Sequence, residues 1–295
     1  MKKKNFKIQI FPIVGWLLAT MWVVIFLSFL LWMGITSLKT VYDFKFNPFW
    51  LPRQSHGGWK FDNYVLAFES VKIVRRSVTI RAWDMVGNSI IYALGKSICA
   101  LVPPTLVSYL VAKYNYIPFV AAMWGFVLFY KYVPISASTA ACIEYLNFLG
   151  WYDKMWGIFI WSMAGFGGEF LILYASWKNV STDYRDAAFI DGAGHFRALL
   201  TVMLPMVYSL LFILFVQSFI GVWNDYMGPM VYLPSSPTLA YGAWYFQFSN
   251  DNPEVAITPV QMAGLYMLSL PMFLIFLCVR KRLMNLSIGV TGLKG

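Results

Sequence analysis

Long apolar runs broken by short polar stretches set the pattern of this chain. They cover roughly 12–36, 86–112, 118–143, 154–177, 205–228 and 257–279. About 20 apolar helical residues cross the hydrocarbon core of a bilayer, and each run reaches that length, some with an embedded charge. The pattern predicts an all-α membrane protein with six transmembrane helices, organised as a single transmembrane domain over residues 1–295. The longest connection, 37–85, falls short of a typical soluble domain. Within it, a short amphipathic element is expected around 65–84 along the outer surface. The second and third runs are separated only by Lys113 to Ile117, which reads as a tight helical hairpin with Pro118 at a helix start. The first run is too long for the h-region of a signal peptide and has no small-residue cleavage site, so it is expected to stay as a span.

Composition agrees. The chain is 59% apolar and only 12% charged, against about 25% charged in soluble domains. Its 13 Trp and 18 Tyr suit membrane interfaces, where a ring meets hydrocarbon on one side and water on the other. The net charge of +10 is accounted for by topology and anionic lipid heads rather than by nucleic acid. Lys2, Lys3, Lys4 and Lys7 at one end, and Arg280, Lys281, Arg282 and Lys294 at the other, place both termini in the cytoplasm. Lys178, Arg185 and Arg197 put the 178–204 loop on the same side, while the 229–256 loop has no Lys or Arg. The 37–85 loop departs from the rule, carrying Lys45, Arg53, Lys60, Lys72, Arg75, Arg76 and Arg81. It reads either as a solvated basic face or as a steering surface for something acidic. Cys99, Cys142 and Cys278 lack the spacing of a disulfide framework or zinc site.

The 178–204 loop is more than a polar linker. Ser181 or Thr182 can cap a helix, with Asp183 in its favourable first turn. Gly192 and Gly194 permit a sharp turn. A second helix is expected from His195 to Leu204, stopped or bent at Pro205. The alanines suit close seating against a partner, although a partnerless hairpin at the membrane surface has the same local pattern. Asp186-Ala187-Ala188, Asp191-Gly192-Ala193 and Leu204-Pro205 resemble the "EAA" loop of permeases in binding-protein-dependent, ATP-driven importers, with Asp186 standing for the usual Glu. Further matches run along most of the chain: Phe61-Asp62-Asn63-Tyr64, Asn88-Ser89, Trp223-Asn224-Asp225-Tyr226 with Pro229, Thr238-Leu239 with Gly242, and the Gly289 to Lys294-Gly295 tail. Together they resemble the carbohydrate-uptake branch, similar to the smaller six-span permease of the maltose importer.

That resemblance implies the type I importer permease fold with a cytoplasmic helix-turn-helix coupling loop. It implies a second related permease, two cytoplasmic ATPases and an extracellular solute-binding protein that delivers the sugar. Asp186, Ala187, Ala188, Asp191, Gly192, Ala193, Leu204 and Pro205 would couple to an ATPase. ATP and magnesium would sit on those partners, with no cofactor on this chain, which is then a non-catalytic permease subunit. Gly95-Lys96-Ser97 mimics the end of a P-loop, but the glycine required five residues earlier is Ile90. A permease for a non-sugar solute, an ion-coupled carrier and a membrane enzyme remain as alternatives, and the last two have no use for an ATPase-docking loop.

Three charges interrupt the spans: Lys96, Lys131 and Glu169. Burial near mid-bilayer costs about 2.5–3.5 kcal/mol on insertion scales, so each is expected to face protein or water. At about 1.5 Å per residue, Lys131 and Glu169 lie at similar depths, roughly 18 and 22 Å from the outer ends. They are placed to pair. Alternatively, Lys96 or Lys131 lines a cavity and meets an acidic sugar. Trp223, Asn224, Asp225 and Tyr226 form a second cavity candidate, offering rings for sugar faces and polar groups for hydroxyls. The same four also fit an interfacial aromatic belt.

Overall fold

The computed structural model describes residues 10–75, 78–133, 138–165, 168–248 and 257–291. Along the chain come α1 (Ile10–Ser37), α2 (Val41–Phe46), α3 (Asp62–Ser70), β1 (Lys72–Arg75), β2 (Val78–Arg81), α4 (Ala82–Lys113), α5 (Pro118–Tyr132) and α6 (Thr139–Phe148). They are followed by α7 (Met155–Ser162), α8 (Glu169–Asn179), α9 (Asp183–Ile190), α10 (His195–Ala198), α11 (Leu204–Trp223), α12 (Met227–Tyr232), α13 (Leu239–Phe248) and α14 (Thr258–Thr291). A π-helical turn at Leu199–Met203 joins α10 to α11.

Among the described residues, four stretches are helical, long and apolar enough to cross a membrane: Pro12–Ser37, Ala82–Lys113, His195–Trp223 and Thr258–Lys281. They coincide with four of the six apolar runs. The other two runs are each divided. The run over 118–143 becomes α5 and α6. Val133 is extended at φ −89°, ψ 116°, as befits a residue before Pro134, whose ring disfavours a helical conformation in its neighbour. Ser138 then starts α6 afresh, accepting a hydrogen bond from the Ala141 amide at 3.2 Å. The run over 154–177 becomes α7 and α8, divided where Gly165, Gly167 and Gly168 fall close together. A helical glycine costs about 1 kcal/mol relative to alanine.

Two further expectations are corrected. The 65–84 stretch is not one element but the end of α3, a two-stranded sheet of β1 and β2, and the start of α4. Ile73, Val74, Val78, Thr79 and Ile80 are β-branched residues that favour a strand. Nor does Pro205 stop the second loop helix, because His195–Trp223 runs on unbroken. Proline has no amide hydrogen, and its ring crowds the carbonyl one turn back. The wider π turn directly before it absorbs that misfit. In an apolar surrounding an interrupted backbone would leave costly unpaired groups, which favours continuing the helix.

The chain divides into two compact units. One comprises Met1–Lys72 and Tyr245–Pro271. The apolar window of α1 has none of its residues buried, as expected of a helix whose solvent is lipid. The Phe61–Tyr64 motif closes the end of this helix: Asn63 Nδ2 donates to the Ser37 and Lys39 carbonyls, each at 2.8 Å. The Tyr64 hydroxyl meets Ser37 Oγ at 2.7 Å. Beyond α1, the fully buried Asp43 carboxylate organises the connection. His56 Nδ1 lies 3.0 Å from its Oδ1, and the Arg53 amide donates to its Oδ2 at 3.3 Å. Lys39 is also fully buried and donates to the Asn47 carbonyl. Desolvation pushes its ammonium below the ordinary lysine value, against the pull of Asp43, with Arg53 adding to the depression. Asp43→Ala is expected to cost this connection about 3 kcal/mol, since it strands several buried partners at once. Hydrogen exchange should show faster exchange over 40–57 with α1 unchanged. Asp43→Asn, which keeps an acceptor, should lose less.

The other unit comprises Ile73–Trp244 and Met272–Gly295. Its central element is α4, which packs against α5, α7, α8 and α11. The main core gathers Leu101, Tyr109, Val127, Phe170, Trp177, Met203 and Leu214. Two of the sequence motifs meet here. Asn88 Nδ2 donates to the Pro237 carbonyl at 3.1 Å, and Ser89 Oγ accepts from the Leu239 amide at 2.7 Å. A Cβ at Gly242 would stand 2.4 Å from Met85 Sδ, and one at Gly95 would stand 2.4 Å from the Phe159 ring. Gly95, in the triplet that mimics a P-loop, is therefore a close-packing position inside α4.

Candidate functional site

The helical hairpin is built by local rules. Ser181 Oγ accepts from the Asp183 amide at 3.2 Å, ahead of α9. At the other end of α9, Gly192 adopts φ +80°. The Gly192 amide returns to the Phe189 carbonyl at 3.0 Å and the Ala193 amide to the Ala188 carbonyl at 2.9 Å. These two bonds make the Schellman ending, which requires a left-handed residue where Gly192 sits. Gly194 is extended, at φ −71°, ψ 165°, and opens α10.

Ala188 and Ala198 are buried, whereas Asp186, Ala187, Asp191 and Gly192 are exposed. Ala193 and Leu204 are half-buried and Pro205 is exposed. Two large apolar side chains stand out from the hairpin, Ile190 at 87% and Phe196 at 69% exposure. A soluble monomer rarely presents such residues together without a use for them.

Arg185, which the sequence marked only for topology, ties this hairpin to the end of α4. Its Nη1 donates to the Lys113 carbonyl at 2.9 Å, and its Nη2 lies 2.8 Å from Asp186 Oδ1. Its guanidinium lies 5.0 Å from the Tyr114 ring centroid and 5.6 Å from that of Phe189. Desolvation alone would lower its pKa, but the hydrogen bond and charge of Asp186 outweigh that and raise it. Tyr114 in turn meets His195 Nδ1 through its hydroxyl at 2.8 Å, and the Lys113 ammonium donates to the Val180 carbonyl. The position next to Asp186 was the one available hint for Arg185. Nothing in the sequence pointed to Tyr114.

A cavity of about 500 Å³ lies in the same unit, lined by Tyr92, Lys96, Tyr130, Trp161, Ser162 and Asp225 among others. Lys96 Nζ lies 3.0 Å from Asp225 Oδ2 and donates to the Tyr92 hydroxyl at 2.8 Å. The Tyr92 hydroxyl donates to the same carboxylate oxygen at 3.2 Å. The other oxygen, Oδ1, accepts from the Gly228 amide at 2.8 Å, at the start of α12. Two of the candidate residues thus meet from 129 positions apart. Tyr92 joins them because it sits one helical turn before Lys96, a spacing visible in the sequence.

The other candidates lie elsewhere. Trp223 is buried against Phe219, their ring centroids 5.9 Å apart. Asn224 donates to the Ile220 carbonyl at 2.9 Å. Tyr226 stacks on Trp244 at 6.0 Å. The Lys131 side chain lies outside the described residues, and so therefore does its pairing with Glu169. Glu169 itself occupies the first turn of α8. Positions 292–295 of the C-terminal motif also lie outside the described residues. Among the described residues, no three His, Cys, Asp or Glu side chains gather as a metal site would require.

Residues 97–281 match the family described as binding-protein-dependent transport system inner membrane component. The diacetylchitobiose uptake system permease protein NgcG of Streptomyces coelicolor is 25% identical over 222 residues, covering 75% of this chain and 68% of the relative. The maltodextrin transport system permease protein MdxG of Bacillus subtilis is 24% identical over 244 residues, covering 81% and 82%. A chain from the crystal structure of a bacterial ABC transporter involved in import of the acidic polysaccharide alginate superposes with a TM-score of 0.76 at 18% identity. The match covers 95% of this chain and 99% of the other, and it shows the shared fold. With the family match extending over more than half of the sequence, this chain belongs to the inner membrane components of binding-protein-dependent transport systems.

Proposed function

We propose that this chain is one of two related permeases in an ATP-driven importer of a sugar or oligosaccharide. It crosses the membrane six times with both termini in the cytoplasm, its broken runs α5–α6 and α7–α8 each making one crossing. An extracellular solute-binding protein delivers the saccharide. Two cytoplasmic ATPases, which hold ATP and magnesium, drive alternating access, and this chain hydrolyses nothing itself. The names of the diacetylchitobiose and maltodextrin relatives support the choice of substrate class.

The observation that carries the coupling role is the continuity of the hairpin with a membrane helix, from His195 to Trp223. An ATPase holding Ile190, Phe196 and the exposed Asp186–Ala187 face would move α11 with it. ATP then shifts the permease because it favours one arrangement of the ATPase pair over the other, and only such a difference in affinity can move the equilibrium.

The test is reconstitution. The chain should co-purify with an ATPase subunit and a second permease, and saccharide uptake into proteoliposomes should require ATP on the ATPase side. Uptake by this chain alone, driven by an ion gradient, would overturn the reading.

A further inference from the structure

The cavity around Lys96 bears on which saccharides this permease accepts. Among the described residues that line it, Lys96 and Asp225 carry the charges, and they lie 3.0 Å apart with opposite sign. We propose that this charge-balanced cavity takes a neutral glycan segment and discriminates against uronate sugars. The inference rests on the reading of the chain as a saccharide permease and adds the charge class of its substrate.

Asp225 is held on both oxygens. Oδ1 accepts from the Gly228 amide, and Oδ2 accepts from Tyr92 and Lys96. It cannot swing aside without losing several bonds, so the Lys96 ammonium stays compensated. A uronate carboxylate that reached Lys96 would stand beside the Asp225 carboxylate, and like charges in a partly dehydrated site repel strongly. A neutral sugar meets no such conflict. Its hydroxyls can donate to the carboxylate and accept from the ammonium, and bonds to charged groups are roughly twice as strong as neutral ones.

The rest of the lining suits that ligand. Trp161 and Tyr232 stand edge to face with centroids 5.1 Å apart, offering apolar surface to the C–H faces of a pyranose. Ser162 also lines the cavity, and its Oγ donates to the Phe159 carbonyl at 2.7 Å, so its oxygen keeps the capacity to accept. At about 500 Å³ the space falls within the ~300–1,000 Å³ typical of small-molecule sites.

The decisive experiment measures equilibrium binding to the assembled permease–ATPase complex without its binding protein, so that the permease alone selects. The probes are radiolabelled maltotriose and N,N′-diacetylchitobiose as neutral glycans, and trigalacturonate as the acidic one. At least one neutral glycan should bind tenfold or more tightly than trigalacturonate. Asp225→Asn leaves Lys96 uncompensated and should shrink that ratio at least tenfold. Lys96→Met leaves Asp225 uncompensated and should widen it at least threefold; either variant decides if the other fails to assemble. Lys131→Met should leave the ratio within twofold. Trigalacturonate binding as tightly as the neutral glycans, a ratio unmoved by the Lys96 and Asp225 variants, or one governed by Lys131 would overturn the charge-balance inference and leave the saccharide permease standing. Binding of none of the three glycans would instead overturn the saccharide reading, and this inference with it.

Discussion

Replacing Gly192 with valine is expected to lower substrate-stimulated ATP hydrolysis in the reconstituted importer about tenfold while leaving the chain inserted in the membrane. The reason lies in one backbone angle. Gly192 turns the hairpin at φ +80°, where an L-residue with a Cβ is disfavoured by about 1–2 kcal/mol and a β-branched one more so. Each 1.36 kcal/mol corresponds to a factor of ten. A Cβ at this position meets no neighbouring atom within 4 Å, so the penalty is conformational rather than steric crowding. Gly194 provides the control. It has ordinary extended angles and opens α10, so Gly194→Ser should couple normally or better, because serine is a favoured N-cap. Normal stimulation in Gly192→Val, or an equal loss in both variants, would remove the turn geometry from the coupling mechanism.

Arg185→Ala is expected to reduce stimulated ATP hydrolysis about fivefold to tenfold with little change in how much ATPase co-purifies. Arg185 is almost wholly covered, its side chain 13% exposed, and it joins the hairpin to α4 through the Lys113 carbonyl, Asp186 and the Tyr114 ring. Losing it releases α9 from α4 and frees the Asp186 carboxylate, but leaves every residue of the exposed face that an ATPase would grip in place. Arg185→Lys should recover only part of the activity, because an ammonium cannot supply the planar fork and the ring stacking together. If Arg185→Ala instead lost the ATPase altogether, the residue would belong to the docking contact, and the anchoring role assigned to it would fail.

The sequence made the membrane helices legible wherever apolar length and backbone continuity coincided, as in α1, α4, α11 and α14. It missed the breaks within the third and fourth runs because hydropathy weighs side chains and ignores the backbone. Pro134 and the glycines at 165, 167 and 168 are apolar or small enough to pass as span residues, yet each disfavours a continuous helix. At Pro205, where a stop or a bend was expected, the helix does not end but widens into a π turn and continues. The turn at Gly192 was readable because it is local. Lys96 and Asp225 were each noticed for their own reasons, but their meeting depends on how α4 and the end of α11 pack, which no local pattern encodes. The anchoring role of Arg185 stayed hidden because the groups that tie it to α4 are a ring and a carbonyl some 70 residues away.

The unbroken run from His195 to Trp223 is also a lever arm. Its 29 residues span about 43 Å at 1.5 Å per residue, so a tilt of about 5° around its midpoint carries each end through about 2 Å. Asp225 lies two residues past one end, and its carboxylate holds Lys96, Tyr92 and the Gly228 amide at 2.8–3.2 Å. A 2 Å displacement exceeds what any of those bonds can stretch. A small stroke at the hairpin that leaves α4 in place is therefore enough to dismantle the charge pair in the cavity, and whatever steadies that pair resists the stroke in return.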